Sequence, residues 1–233
     1  MSKKKNKKVA KRRKIKKKAI IFSLLFIIVA ALFIYYIYNI KITNIYIVGN
    51  EYLSDYEIIK KAKLESYPNS LQNSSKLIKE RLEKSDFILN VDVKKKSLFQ
   101  EVYIYIDENI PVFYYQTINK VVLKDGKKID GKYNVPTLTN EVDDKIYKKL
   151  IDKMCEIDSN VFLRISEIKY DPNDIDTERF YLTMDDGNYV YLTLNKFNKI
   201  NSYLEIVKTF NDSKGILYLD SGEYFEIFNR ANE

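Results

Sequence analysis

Residues Ala19–Ile40, AIIFSLLFIIVAALFIYYIYNI, run for 22 positions without a charge, bounded by Lys18 and Lys41. A helix rises about 1.5 Å per residue, so some 20 apolar residues cross a hydrocarbon core of roughly 30 Å. Only Ser23 and Asn39 are distinctly polar, and a helical serine can bond back to its own backbone. Tyr35, Tyr36 and Tyr38 gather at the C-terminal end, where amphipathic rings favour the interface. The stretch predicts a transmembrane helix over 19–40. A buried core helix would need surroundings that nothing else in the chain supplies. A cleaved signal peptide, cut after Val29-Ala30-Ala31, is the other alternative, but the apolar run continues through Tyr38.

Upstream, residues 1–18 form a basic tail with twelve Lys and Arg and no acid. The chain's net charge of +8 therefore sits in one place; without the tail, 28 cations face 32 acids. The positive-inside rule keeps such a tail in the cytosol and sends everything after Ile40 outside. Lys11, Arg12, Arg13, Lys14, Lys16, Lys17 and Lys18 lie nearest the bilayer, and each gains about 1 kcal/mol beside an anionic leaflet. Anionic lipid is the expected partner of this tail. Nucleic acid is not, because the excess charge is not spread over a face.

Downstream, residues 41–111 read as strand, helix, helix, strand, strand. Ile42–Val48 is β-branched and aromatic and stops at Gly49-Asn50. Ser54-Asp55-Tyr56-Glu57 is a capping box, with Leu53 and Ile58 at the staple positions. This helix buries Ile58, Ile59 and Ala62. A second, near Ser75–Ser85, carries Leu77, Ile78 and Leu82 on one face. Strands follow at Ile88–Lys94 and Glu101–Asp107, the latter alternating Val102, Ile104 and Ile106 with Tyr103 and Tyr105. Two helices over one face of a three-stranded sheet make a compact pair of layers.

Residues 112–228 read as a second, mainly antiparallel α+β domain, followed by a tail at 229–233. Asp125-Gly126, Asp186-Gly187 and Ser221-Gly222 each separate apolar runs, as two-residue hairpin loops would. Val142, Ile146, Leu150, Ile151 and Met154 stripe one helix; Phe197, Ile200, Leu204 and Val207 stripe another.

Catalytic chemistry finds little to stand on. There is no His, hence no imidazole acid–base group or His-metal cluster, and six glycines form no phosphate loop. Cys155, the single cysteine, has no His to activate it and no intrachain partner. Asp107 and Glu108 would point to opposite faces of a strand. Asp185-Asp186 opens a turn, and Asp143-Asp144 begins a helix, where acids are favoured for local reasons. The reading is non-enzymatic, with no catalytic residue, cofactor or metal.

The order of basic tail, single membrane helix and Ile45-Tyr46-Ile47-Val48-Gly49-Asn50 resembles the FtsQ/DivIB family of bacterial divisome proteins. So do Ile104–Val112, a strand ending in an acid shortly before Pro-Val, Val135-Pro136-Thr137-Leu138, and the late strand Ile216–Asp220. The resemblance implies a POTRA domain over 41–111 and a β-domain over 112–228. One departure stands out: members commonly carry a basic residue and a proline before the last POTRA strand. Here Lys94-Lys95-Lys96-Ser97-Leu98 has no proline.

By that resemblance the chain is a scaffold at the division septum that engages bitopic partners of the FtsB/DivIC and FtsL type, in support of septal cell-wall synthesis. Twenty tyrosines suit a recognition surface, although a general bias toward Lys, Ile, Asn and Tyr accounts for some. Tyr224, Phe225, Glu226, Ile227 and Phe228 form the last strand and the candidate docking edge. They read equally as an ordinary edge blunted by Glu223, Glu226 and Arg230. Two other classes stay open: a POTRA-bearing component of a translocation or envelope-assembly system, and a membrane-anchored peptidoglycan enzyme.

Overall fold

The structure, a computed structural model, describes residues 17–211 and 213–228. Lys11, Arg12, Arg13, Lys14 and Lys16, together with Arg230 and the 229–233 tail, lie outside the described residues. Helix α1 (Lys17–Tyr38) spans about 33 Å at about 1.5 Å per residue. Its apolar side chains face outward along nearly its whole length, from Ile20 to Tyr38, so protein does not surround it. It is long and apolar enough to cross a membrane. The uncharged run outlasts the helix by two residues. Asn39 turns back onto the Tyr35 carbonyl, and Ile40 is already buried.

The next unit is β1 (Asn44–Val48), α2 (Asp55–Ala62), α3 (Ser75–Leu82), β2 (Ile88–Lys96) and β3 (Glu101–Glu108). Its sheet runs β1-β3-β2, with β1 parallel and β2 antiparallel to the central β3. The capping box forms: Ser54 Oγ accepts from the Glu57 amide, and Glu57 accepts from the Ser54 amide at 2.9 Å. Ile58, Ala62, Ile78 and Leu82 from the helices bury against Val91, Val93, Val102, Ile104 and Ile106 from the sheet.

The second unit comprises β4 (Pro111–Tyr115), β5 (Lys120–Leu123), β6 (Lys128–Ile129), β7 (Thr137–Leu138), α4 (Asp144–Met154) and α5 (Ser159–Phe162). It continues with β8 (Ile165–Tyr170), β9 (Arg179–Met184), β10 (Tyr189–Thr193), α6 (Tyr203–Thr209), β11 (Gly215–Tyr218) and β12 (Tyr224–Ile227). Nine strands form one sheet in the order β12-β11-β10-β9-β8-β7-β4-β5-β6. Five junctions are antiparallel and three parallel: β4/β7, β7/β8 and β10/β11. The β10/β11 pair is parallel because the helical segment Leu194–Thr209 carries the chain back to the strand's starting end.

Three sequence expectations change here. The loops at Asp125-Gly126 and Asp186-Gly187 have three residues, since Leu123 and Met184 bond the carbonyls of Lys127 and Asn188. Their glycines, at φ +84° and +86°, take the left-handed position that follows a type I turn. The Ser221-Gly222 loop is five residues long, from the Tyr218–Tyr224 pair, and Gly222 is not left-handed. In the second stripe Leu204 is exposed and Tyr203 is buried instead. Leu194–Ser202 winds in 3₁₀ turns broken by a kink at Lys196, and after the kink Phe197, Ile200 and Tyr203 align at a spacing of three before the α-helix carries on to Val207.

Buried Asn109 joins the two units. Its amide donates to the Asp86 carbonyl at 2.8 Å and its oxygen accepts from the Asp125 amide at 3.0 Å. Lys124 pairs with Asp107, and Lys127 with Asp86.

Candidate functional site

β12 closes one end of the nine-stranded sheet, pairing with β11 and, among the described residues, with nothing on its other side. Phe228 donates to the Lys214 carbonyl at 2.8 Å, which fixes the phase of the ladder. In an antiparallel pair hydrogen-bonded positions alternate, so Tyr224, Glu226 and Phe228 face β11 with their backbone groups. Phe225 and Ile227 turn their N–H and C=O outward. Gly215 lets β12 approach: a Cβ there would sit 2.1 Å from the Glu226 carbonyl oxygen.

The side chains of this end sort onto two faces. Phe225 packs inward against Phe210, with ring centroids 4.7 Å apart. On the outer face the registers align Lys169, Tyr181, Tyr191, Tyr218 and Tyr224 in one row across five strands. Successive tyrosine centroids are 4.7, 5.5 and 4.6 Å apart. Tyr189 flanks the row, stacked on Tyr181 and edge-on to Phe228. Burial, then the neighbouring rings, pushes the Tyr181 hydroxyl up to about 12, so that hydroxyl is uncharged at neutral pH.

Arg179 anchors this surface. Its guanidinium lies 3.7 Å from the Tyr191 ring centroid, and it pairs with Asp220 at 2.8 Å and Asp171 at 2.9 Å. Burial alone would raise the Asp220 carboxyl, but hydrogen bonds from Arg179 and Ser221 and the Arg179 charge hold it below the usual carboxylate range. Asp220, which ends the late strand singled out in the sequence, therefore ties β11 to β9. Of the charges expected to blunt the edge, Glu223 is paired with Lys199, while Glu226 is exposed.

The other candidates separate. Lys17 and Lys18 occupy the exposed first turn of α1. Asp143 is the N-cap residue of α4, and Asp144 opens the helix. Asp185 pairs with Arg164, and Asp186 accepts from the buried Tyr203 hydroxyl at 2.8 Å. Cys155 ends α4 beside a mainly apolar cavity of about 300 Å³ lined also by Tyr52, Pro111, Val112, Met154 and Phe162. Burial pushes its thiol up to about 11. Glu108 has a role that sequence reasoning missed: buried, it accepts from the amides of Glu51, Tyr52 and Leu53. Its position as an inward-facing acid ending a strand was the available signal. Among the described residues, no three Asp, Glu, Cys or His converge as metal ligands.

Comparison with known proteins supplies what geometry cannot. Residues 40–109 match the POTRA domain family of the FtsQ type. The cell division protein DivIB of Listeria monocytogenes is 27% identical over 202 residues, 82% of this chain and 74% of that protein. DivIB of Bacillus subtilis is 25% identical over 201 residues, 83% of this chain and 76% of that protein. The solved major extracytoplasmic domain of DivIB from Geobacillus stearothermophilus is 20% identical, with a TM-score of 0.39 over 45% of this chain and 96% of that one. A helix long and apolar enough to cross a membrane, an FtsQ-type POTRA match and similarity along most of the chain to two DivIB proteins point the same way: the chain is similar to the DivIB proteins of bacterial cell division.

Proposed function

We propose that the protein is a non-enzymatic, bitopic scaffold of the divisome. Its twelve N-terminal cations stay in the cytosol against anionic lipid, and its two folded units work outside the membrane. There it binds partners of the FtsB/DivIC and FtsL type and so supports septal cell-wall synthesis.

The observation that carries this reading is the β12 edge, where the outward N–H and C=O groups of Phe225 and Ile227 are available to a partner strand. Backbone bonds to such a strand would contribute affinity, at about 0.5–1.5 kcal/mol net each. Side chains alternating over Phe225 and Ile227 on one face and Tyr224, Glu226 and Phe228 on the other would give selectivity. The Tyr row adds rigid apolar area with polar tips directly beside the edge.

A fluorescent fusion in dividing cells tests the reading. A ring at midcell supports it; an even distribution over the membrane contradicts it.

A further inference from the structure

The turn that lacks the expected proline is unusual in a second way. Ser97, Leu98 and Phe99 are three consecutive non-glycine residues in the left-handed region, at φ +48°, +54° and +70°. L-residues avoid this region singly and rarely occupy it in series, so the surrounding structure must hold the tip in place. It does: the buried Ser70 hydroxyl donates to the Phe99 carbonyl, and Lys95 Nζ reaches Ser70 Oγ at 2.9 Å. The outcome is not burial. Leu98 is 72% exposed and Phe99 51%.

The position of this tip gives the exposure meaning. β2 ends, and β1 and β3 begin, at the end of the sheet where the chain arrives from α1. Thr43 donates to the Gln100 carbonyl at 2.8 Å, Ile42 to Pro68 at 3.1 Å, and Ser70 to Ile40 at 2.8 Å. Asn69 and Gln72 bond the carbonyl and hydroxyl of Tyr38, the last residue of α1. Tyr67, another left-handed residue, and Leu71 lie in this second loop, 49% and 43% exposed. No free tether separates helix from domain: from Tyr38 to the fully buried Ile42 the chain can extend at most about 14 Å.

We infer that the tip Ser97–Phe99, with Leu71 beside it, is a membrane-docking surface that seats the POTRA unit on the bilayer α1 crosses. Single exposed apolar residues need no explanation. Here they cluster on a rigidly held turn that is hydrogen-bonded to the segment leaving the helix, so the occupant is the lipid interface itself. Exposed Lys41 and Lys96 on the same end suit headgroup phosphates, as at other interfacial sites that join apolar anchors to cations. This inference does not rest on the partner-binding role of β12.

The chain contains no tryptophan, so one introduced residue reports alone. The full-length Phe99→Trp chain is reconstituted in phosphatidylcholine–phosphatidylglycerol vesicles whose acyl chains carry bromine, a contact-range quencher. Ile175→Trp, at a position 97% exposed in the loop between β8 and β9 of the second unit, is the control. The expected result is blue-shifted emission from Phe99→Trp that loses most of its intensity in brominated lipid, with Ile175→Trp unaffected. Emission as water-exposed as the control overturns the inference. So does shielding from aqueous iodide without quenching by bromine, which would mean that protein covers the tip.

Discussion

The carboxylate of Glu108 accepts a 2.7 Å hydrogen bond from the amide of Leu53, 55 residues away. Its other oxygen accepts from Tyr52 at 2.7 Å and Glu51 at 2.8 Å. The last residue of β3 thus holds the loop that positions Leu53 in the core and Ser54 as the cap of α2. Removing the acceptor leaves amides without partners in a largely buried site. Glu108→Ala is expected to destabilise the external part by about 3 kcal/mol in urea unfolding, and Glu108→Gln by less, since one oxygen still accepts.

The Arg179–Asp220 pair sets a pH dependence. The Asp220 carboxyl titrates below its unfolded value, so its contribution is complete above the unfolded pKa and fades as pH falls through the folded one. Urea midpoints should therefore drop on acidification below about pH 4. Asp220→Asn should lower the neutral-pH midpoint and flatten the acid slope.

Cys155 should be a slow nucleophile. With the thiol at about 11, the thiolate fraction at pH 8 is about a hundredfold below that of an ordinary cysteine. Iodoacetamide labelling of the native chain should lag that of the urea-unfolded chain by a similar factor, and parity would show the thiol to be unshielded.

Gly215→Ala should release the edge. The added methyl meets the Glu226 carbonyl oxygen, so β12 must move away from β11. The amides of Glu226 and Phe228 are expected to exchange about tenfold faster or more, about 1.4 kcal/mol of lost protection, while those of β3 keep their rates.

What the sequence made legible was local. The uncharged run gave α1, Ser54 and Glu57 gave the start of α2, and the alternation around Tyr103 gave β3. What it concealed depends on partners far along the chain or on helix pitch. Nothing in the stripe Phe197–Val207 signals the 3₁₀ winding that buries Tyr203 in place of Leu204. The row Tyr181–Tyr191–Tyr218–Tyr224 exists only through cross-strand registers, one of them the parallel β10/β11 pairing that a hairpin pattern does not suggest. The edge strand itself was anticipated; which of its residues turn their backbone outward required the Phe228–Lys214 bond.

That last detail permits a selective test. Proline at Phe225 and Ile227 removes the two outward N–H groups and spares the bonds that hold β12 to β11, a substitution that edge strands tolerate. The full-length F225P/I227P chain should insert into membranes and keep its sheet, at a lower urea midpoint because the Phe225 ring no longer packs on Phe210, yet fail to co-purify with the FtsB/DivIC- and FtsL-type proteins. Recovery of those partners at the parent's yield, with the fold intact, would contradict strand addition at β12 as the basis of its function.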